Sequence, residues 1–113
     1  MLTLYGIPNC DKCRAAQKWF SAQGLEFRFH DLRTDGLNTG LVDDWLTQVG
    51  YKALINTRSK TWRNLPDTSR KQLNNSTARE LVLEYPTLIK RPLLDTGSAL
   101  MVGYDEDAWA KLG

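Results

Sequence analysis

The order of elements in residues 2–30 constrains this chain most, because it leaves almost no room for loops. Leu2 to Tyr5 is a short apolar stretch of strand composition, stopped by Gly6 and Pro8. A helix is expected from Cys10 to Gln23, with Asn9 as its N-cap and Gly24 at the C′ position. Cys13, Ala16, Trp19 and Phe20 recur along it at helical spacing. Leu25-Glu26-Phe27-Arg28-Phe29-His30 then alternates apolar and polar, the period of a half-buried strand. Strand, helix and strand over so short a span pack as a parallel pair with a crossover helix.

The middle of the chain reads as helical. Leu41, Val42, Trp45, Leu46 and Val49 lie on one helix face, and Gly50 closes the run. A helical turn around Lys52 to Ile55 and an irregular stretch from Asn56 to Leu65 are expected next. Pro66 and Asp67 start another short helix through Leu73. Thr77-Ala78-Arg79-Glu80 has the form of a capping box, opening a helix that stops before Pro86. Leu93-Leu94-Asp95, a turn at Thr96-Gly97-Ser98 and Ala99 to Val102 form a hairpin signal, and Asp105 can cap a last helix through Leu112. A β-α-β start, a helical insertion over about 38–86 and a β-β-α end make one domain over residues 1–113. The simplest closed arrangement is an α/β fold with a four-stranded mixed sheet and helices against it.

A net charge of +2 supplies no footprint for nucleic acid or an anionic membrane. No apolar run nears the roughly 18 residues a membrane span needs. The first residues lack the basic region and long apolar stretch of a signal peptide. The expected compartment is the cytoplasm, where a Cys pair serves catalysis or metal binding more often than a structural disulfide.

That pair is Cys10-Asp11-Lys12-Cys13. A free thiol is mostly protonated at neutral pH, whereas the first turn of a helix favours the thiolate through its unpaired N–H groups and dipole. Cys10 falls just after the expected cap, and Lys12 and Arg14 add positive charge nearby. Cys13, one turn inward, is placed to resolve a mixed disulfide formed on Cys10. Two plainer roles compete. Cys13 suits a buried core position, as free Cys often does. Zinc would need four ligands, and beyond the two Cys the only other soft ligand is His30, so no metal site is expected. His30, at a strand end, suits a structural hydrogen-bonding role, and Trp19, Trp45, Trp62 and Trp109 suit core and edge packing.

Several segments carry a resemblance. They are Tyr5-Gly6-Ile7-Pro8-Asn9-Cys10-Asp11, Phe29-His30-Asp31, Asp35-Gly36-Leu37, Asn56-Thr57-Arg58 with Thr61-Trp62-Arg63, Ile89-Lys90-Arg91-Pro92-Leu93-Leu94 and Val102-Gly103-Tyr104. In their joint order the chain resembles the ArsC-like family of thioredoxin-fold proteins, which includes glutaredoxin-linked arsenate reductases, YffB-type reductases and Spx regulators. YffB-type proteins are the nearest match, above all through Asp31 to Arg63.

The resemblance implies a thioredoxin-like fold and a nucleophile at Cys10. It implies that Arg58 and Arg91 hold an anion near that sulfur, for which guanidinium forks are suited. Without it, Arg58 would read as a solvated loop residue and Arg91 as a structural ion pair. Pro92 is similar to the proline that such proteins hold in cis beside the reactive cysteine. Asn9, Arg58, Arg91 and Pro92 become the expected glutathione or substrate contacts. Two departures from the family pattern matter. Gly103 stands where arsenate reductases carry a third arginine, which argues against arsenate. Cys13 gives the CxxC of Spx, and Asn56 to Lys60 and Val102 to Asp107 are also similar to Spx.

The function expected is a glutathione- or glutaredoxin-linked thiol–disulfide reductase, monomeric, with no bound cofactor and glutathione as co-substrate. The alternatives are an Spx-like regulator that binds the C-terminal domain of the RNA polymerase α chain, and a true arsenate reductase. Gly50 matches a glycine of the Spx interface, although a helix C-cap already accounts for it. An extended basic tail of the Spx kind is not expected after Gly113.

Overall fold

The computed structural model describes residues 2–112; Met1 and Gly113, the outermost residues of the expected domain, lie outside them. Two compact units form, one from residues up to Asp31 together with those from Arg91 onward, the other from Leu32–Lys90.

The first unit holds the sheet. Strand β1 (Leu2–Gly6) leads through a tight turn into helix α1 (Asp11–Ala22) and strand β2 (Phe27–Asp31). β1 and β2 are parallel, with Leu4 beside Phe29 and Gly6 beside Asp31. The late hairpin, β3 (Leu93–Asp95) and β4 (Leu100–Val102), adds antiparallel to the other edge of β1, giving the order β2-β1-β3-β4. This is the thioredoxin-like four-stranded mixed sheet that the sequence pattern and the resemblance imply. Asp105 caps the closing helix through its carboxylate, which accepts the Ala108 N–H at 3.1 Å.

The start and end of α1 differ from expectation by a residue or two, each for a local reason. Cys10, not Asn9, is the N-cap; it keeps an extended backbone at φ −105° and ψ 124° while its carbonyl accepts the Arg14 N–H at 2.9 Å. At the other end Gly24 takes φ +69°, and its N–H reaches Ser21 O at 3.1 Å while Leu25 N–H reaches Phe20 O at 3.0 Å. Those two bonds are a Schellman closure, so Leu25 belongs to the cap and β2 begins only at Phe27.

Packing in this unit centres on aromatic rings. Leu4, Ala16, Phe20, Leu94 and Trp109 are buried together, with Trp19, Leu25, Phe27 and Tyr104 packed around them. Phe20 stacks at 5.0 Å on Trp109 and 5.5 Å on Phe27, and Trp19 meets Trp109 at 5.7 Å. Such pairs prefer tilted and edge-on geometries like these.

The second unit is helical: α2 (Thr39–Val49), α3 (Tyr51–Leu54), α4 (Lys60–Arg63), α5 (Asp67–Lys71) and α6 (Asn75–Glu84), then a 3₁₀ turn at Pro86–Leu88. Leu32, Val42, Trp45, Leu54, Ala78, Val82, Leu88 and Ile89 are its buried residues of near-zero exposure. Arg79 of α6 reaches Asp43 of α2 at 3.4 Å. Ile55 and Ile89 form a two-residue antiparallel bridge, with Asn56 N–H on Leu88 O and Lys90 N–H on Leu54 O, both at 2.8 Å.

Three expectations here are corrected. The stretch from Asn56 to Leu65 is not irregular throughout, because Ser59 caps α4 by accepting the Trp62 N–H at 3.1 Å. The capping box around Thr77 exists one turn earlier than expected. Asn74 is the cap, its side chain accepting Thr77 N–H at 3.0 Å while the Thr77 hydroxyl accepts Asn74 N–H at 2.9 Å. α5 therefore ends at Lys71 rather than Leu73. Among the described residues, no helix is long and apolar enough to cross a membrane.

Phe20→Ala empties the centre of the aromatic cluster and should lower unfolding stability by about 3–5 kcal/mol, read from the shift of a urea denaturation curve. A loss under about 1 kcal/mol would mean that the ring's neighbours close the space.

Candidate active site

Cys10 is half-buried, where the turn Ile7-Pro8-Asn9 hands β1 over to α1. Its own N–H closes that turn on Ile7 O at 3.3 Å. The first N–H groups of a helix lack partners within the helix. Here those of Cys13 and Lys12 are aimed at the Cys10 sulfur.

Opposing influences compete over the charge of that sulfur. Partial burial is the largest single one and opposes ionisation. The Cys13 N–H, the Cys13 thiol, the Arg91 guanidinium and the Lys12 N–H all donate to the sulfur, and together they outweigh burial. The Cys10 pKa is lowered below an ordinary thiol's. Arg91 acts from the turn before β3, half-buried, next to a buried Pro92 whose peptide bond is cis.

Cys13 is driven the other way. It is fully buried, and its thiol is pushed up to about 12, chiefly by burial; the Ile7 N–H pulls against this and the neighbouring Cys10 sulfur adds to it. Gly6 makes the seat for it. A Cβ on Gly6 would run into the Cys13 sulfur and come within 3.2 Å of the Cys13 Cβ, so only glycine lets helix and strand approach this closely.

Cys10, Cys13, Arg91 and Pro92 thus come together in the first unit. Asn9 is exposed beside them in the turn but does not cap the helix. Arg58 belongs to the second unit, where it is exposed and its N–H is held by the Asn56 side chain at 3.0 Å. The expected help from Lys12 and Arg14 needs correcting. Lys12 contributes its backbone N–H rather than its ammonium, and the Arg14 guanidinium is bound to Asp11 and to Pro8 O. His30 packs its ring against Tyr5 at 4.8 Å, a structural place. Gly103 has φ +84°, a backbone that disfavours any side chain, and its N–H bonds Pro92 O at 2.8 Å. Among the described residues, no group of three or more His, Cys, Asp and Glu could hold a metal ion.

The helix-start donors expected at Cys10 are found as the Cys13 and Lys12 N–H groups, whereas the part played by Gly6 is missed by sequence reasoning. The signal for Gly6 is a glycine inside a strand pattern, which marks a close approach as well as a strand end.

Chemically, the arrangement offers a partly exposed thiolate with a fixed cation, next to a sulfur that keeps its proton. Iodoacetamide at neutral pH should modify Cys10 and leave Cys13, the rate falling as pH drops through the lowered Cys10 midpoint. Arg91→Met should raise that midpoint, and an unchanged pH profile would remove the guanidinium from this account.

The profile of the ArsC family matches residues 5–112 of the chain. An uncharacterised protein of Haemophilus influenzae is 41% identical over 106 residues, spanning 94% of this chain and 93% of its own. The global transcriptional regulator Spx of Streptococcus agalactiae is 34% identical over 110 residues, which is 95% of this chain and 79% of that protein. Among solved structures, a YffB protein aligns with a TM-score of 0.95 at 31% identity over 99% of this chain and 98% of its own. An arsenate reductase (ArsC) related protein from Brucella melitensis aligns with a TM-score of 0.81 at 35% identity, covering 97% and 92%.

Proposed function

This chain belongs to the ArsC family, and from that premise we propose that it is a glutathione-linked thiol–disulfide reductase whose nucleophile is Cys10. The observation that carries the reading is the convergence of the Cys13 and Lys12 N–H groups and the Arg91 guanidinium on one partly exposed sulfur. The Cys10 thiolate attacks one sulfur of a substrate disulfide, forming a mixed disulfide and releasing the other sulfur as a thiolate. A glutathione thiolate then attacks the adduct, regenerating Cys10 and leaving the substrate joined to glutathione. A second glutathione, or a glutaredoxin, completes the reduction. Arg91 and Asn9 would hold the carboxylates of glutathione or of the substrate, and Pro92 would line the approach to the sulfur; a role for Arg58, in the second unit, is what the resemblance alone implies. The protein would work as a monomer in the cytoplasm without a bound cofactor.

Cys13 serves poorly as the resolving thiol. It is fully buried, and its thiol is pushed up to about 12, chiefly by burial. Arsenate is not the proposed substrate. One guanidinium reaches the sulfur within the first unit, and Gly103 lacks both a side chain and the backbone for one.

One observation favours a second reading. The two sulfurs are in direct hydrogen-bond contact, as a CxxC redox switch needs, and Spx relatives share about a third of the sequence. Gly50 carries little of that case, since it closes α2 with φ +79° and an N–H on Leu46 O at 2.9 Å.

Cys10→Ser should abolish reductase turnover while Cys13→Ser retains the first step, measured as release of thiol from a mixed disulfide with glutathione. Mass spectrometry after treatment with oxidised glutathione should find the adduct on Cys10. A chain that instead accumulates the Cys10–Cys13 disulfide and co-purifies with the C-terminal domain of the RNA polymerase α chain would support the regulator.

A further inference from the structure

Charge is distributed unevenly along this chain. Residues 51–73 carry six cations (Lys52, Arg58, Lys60, Arg63, Arg70 and Lys71) and one anion, Asp67, while the rest of the chain carries nine cations and twelve anions. Three of those cations, Lys52, Arg70 and Lys71, line one open cleft of about 470 Å³ in the second unit, together with Tyr51, Trp62 and Leu73. That volume is in the range of specific ligand sites.

The cleft keeps a positive excess. Asp67 pairs with Arg70 alone, and both side chains keep access to solvent. Lys52 and Lys71 are exposed and have no ion-pair partner among the described residues. Its walls are fixed in advance. The Asn75 side chain accepts the Tyr51 N–H at 3.1 Å, Ser59 caps the turn that carries Trp62, and the neighbouring Thr61 hydroxyl bonds that of Thr87 at 2.8 Å. Trp62 and Leu73 are only half-buried, so an apolar surface lies open between the cations. Partly exposed Trp and Tyr beside cations are the residues that dominate binding energy at protein interfaces.

We propose that this cleft docks a short acidic segment of a partner protein, with one apolar side chain against Trp62 and Leu73 and flanking carboxylates on Lys52 and Lys71. Charge complementarity selects this occupant. A long polyanion such as nucleic acid would meet the net negative remainder of the chain as well, whereas a short acidic segment engages only the cationic stretch. The cleft also lacks a glycine among its lining residues, and so lacks the close backbone cradle typical of phosphate sites. The proposal is independent of the thiol reading, because no residue of the first unit takes part.

The test is fluorescence anisotropy with the full chain and a labelled peptide of glutamates around a central phenylalanine. Saturable binding that weakens with added salt is expected. The exposed-site variant Lys52→Glu/Lys71→Glu, which leaves the core untouched, should lose at least about tenfold in affinity, and Trp62→Ala a similar factor. Cys10→Ser should bind as the parent chain does. No saturable binding, equal binding by the charge-reversed variant, equal binding of the peptide with glutamine for glutamate, or tighter binding of oligothymidylate would each overturn the proposal.

Discussion

The site depends on one close approach, that of Gly6 at the end of β1 to Cys13 in the first turn of α1. β1 is an inner strand, paired with β2 on one side and β3 on the other, so its position is set by two ladders. A helix seated flush on the end of such a strand has little freedom in its first turn. Its far end is held as firmly, by Phe20 among Trp19, Phe27 and Trp109. Between those anchors the N–H groups of Lys12 and Cys13 have one direction to point, and Cys10 is the residue they find. Backbone donors fixed in this way require no reorganisation when charge appears on the sulfur.

The same seat separates the two thiols. They are identical in chemistry and three residues apart, yet one is shifted down and the other up to about 12. Burial acts upward on both. For Cys10, only partly buried, four donors overcome it; for Cys13, fully buried, the Ile7 N–H does not. Opposite shifts in neighbouring groups assign roles, here a charged nucleophile and a neighbour that keeps its proton and donates it in a hydrogen bond.

Much of this is legible in the sequence, and the failures have physical causes. Helices that end on glycine are the most legible, because Gly24 and Gly50 adopt positive φ and stop the pattern where they stand. The β-α-β start and the hairpin follow from strand periodicity and turn chemistry. Helix starts are less legible. Asn9 and Cys10 compete for one cap, and the backbone selects the residue whose side chain makes no ordinary capping bond. Thr77 has the right composition for a cap but works as the third helical residue, because Asn74 can accept its N–H and the reciprocal bond closes. Backbone donors are legible only through the helix start that frees them, and the sequence therefore points to the first turn without saying that the N–H groups of Lys12 and Cys13 are the ones that reach the sulfur. Side-chain charge misleads for a related reason: Lys12 and Arg14 look like the cations of the site, while the guanidinium that reaches Cys10 comes from Arg91, far along the chain.

Under the proposed reaction, the buried thiol also decides what happens after the first step. Forming a mixed disulfide removes the charge on Cys10, and with it the part of the Cys13 shift that comes from the neighbouring sulfur. Burial is the larger cause of that shift. The Cys13 sulfur already lies within hydrogen-bond reach of Cys10, so what holds it back from attack is the proton that burial keeps on it. Cys10 is only partly buried, which leaves its sulfur open to an external thiol. In the proposed reaction an external thiol takes the resolving step, and Cys13 contributes before that point, as the donor that helps keep Cys10 ionised.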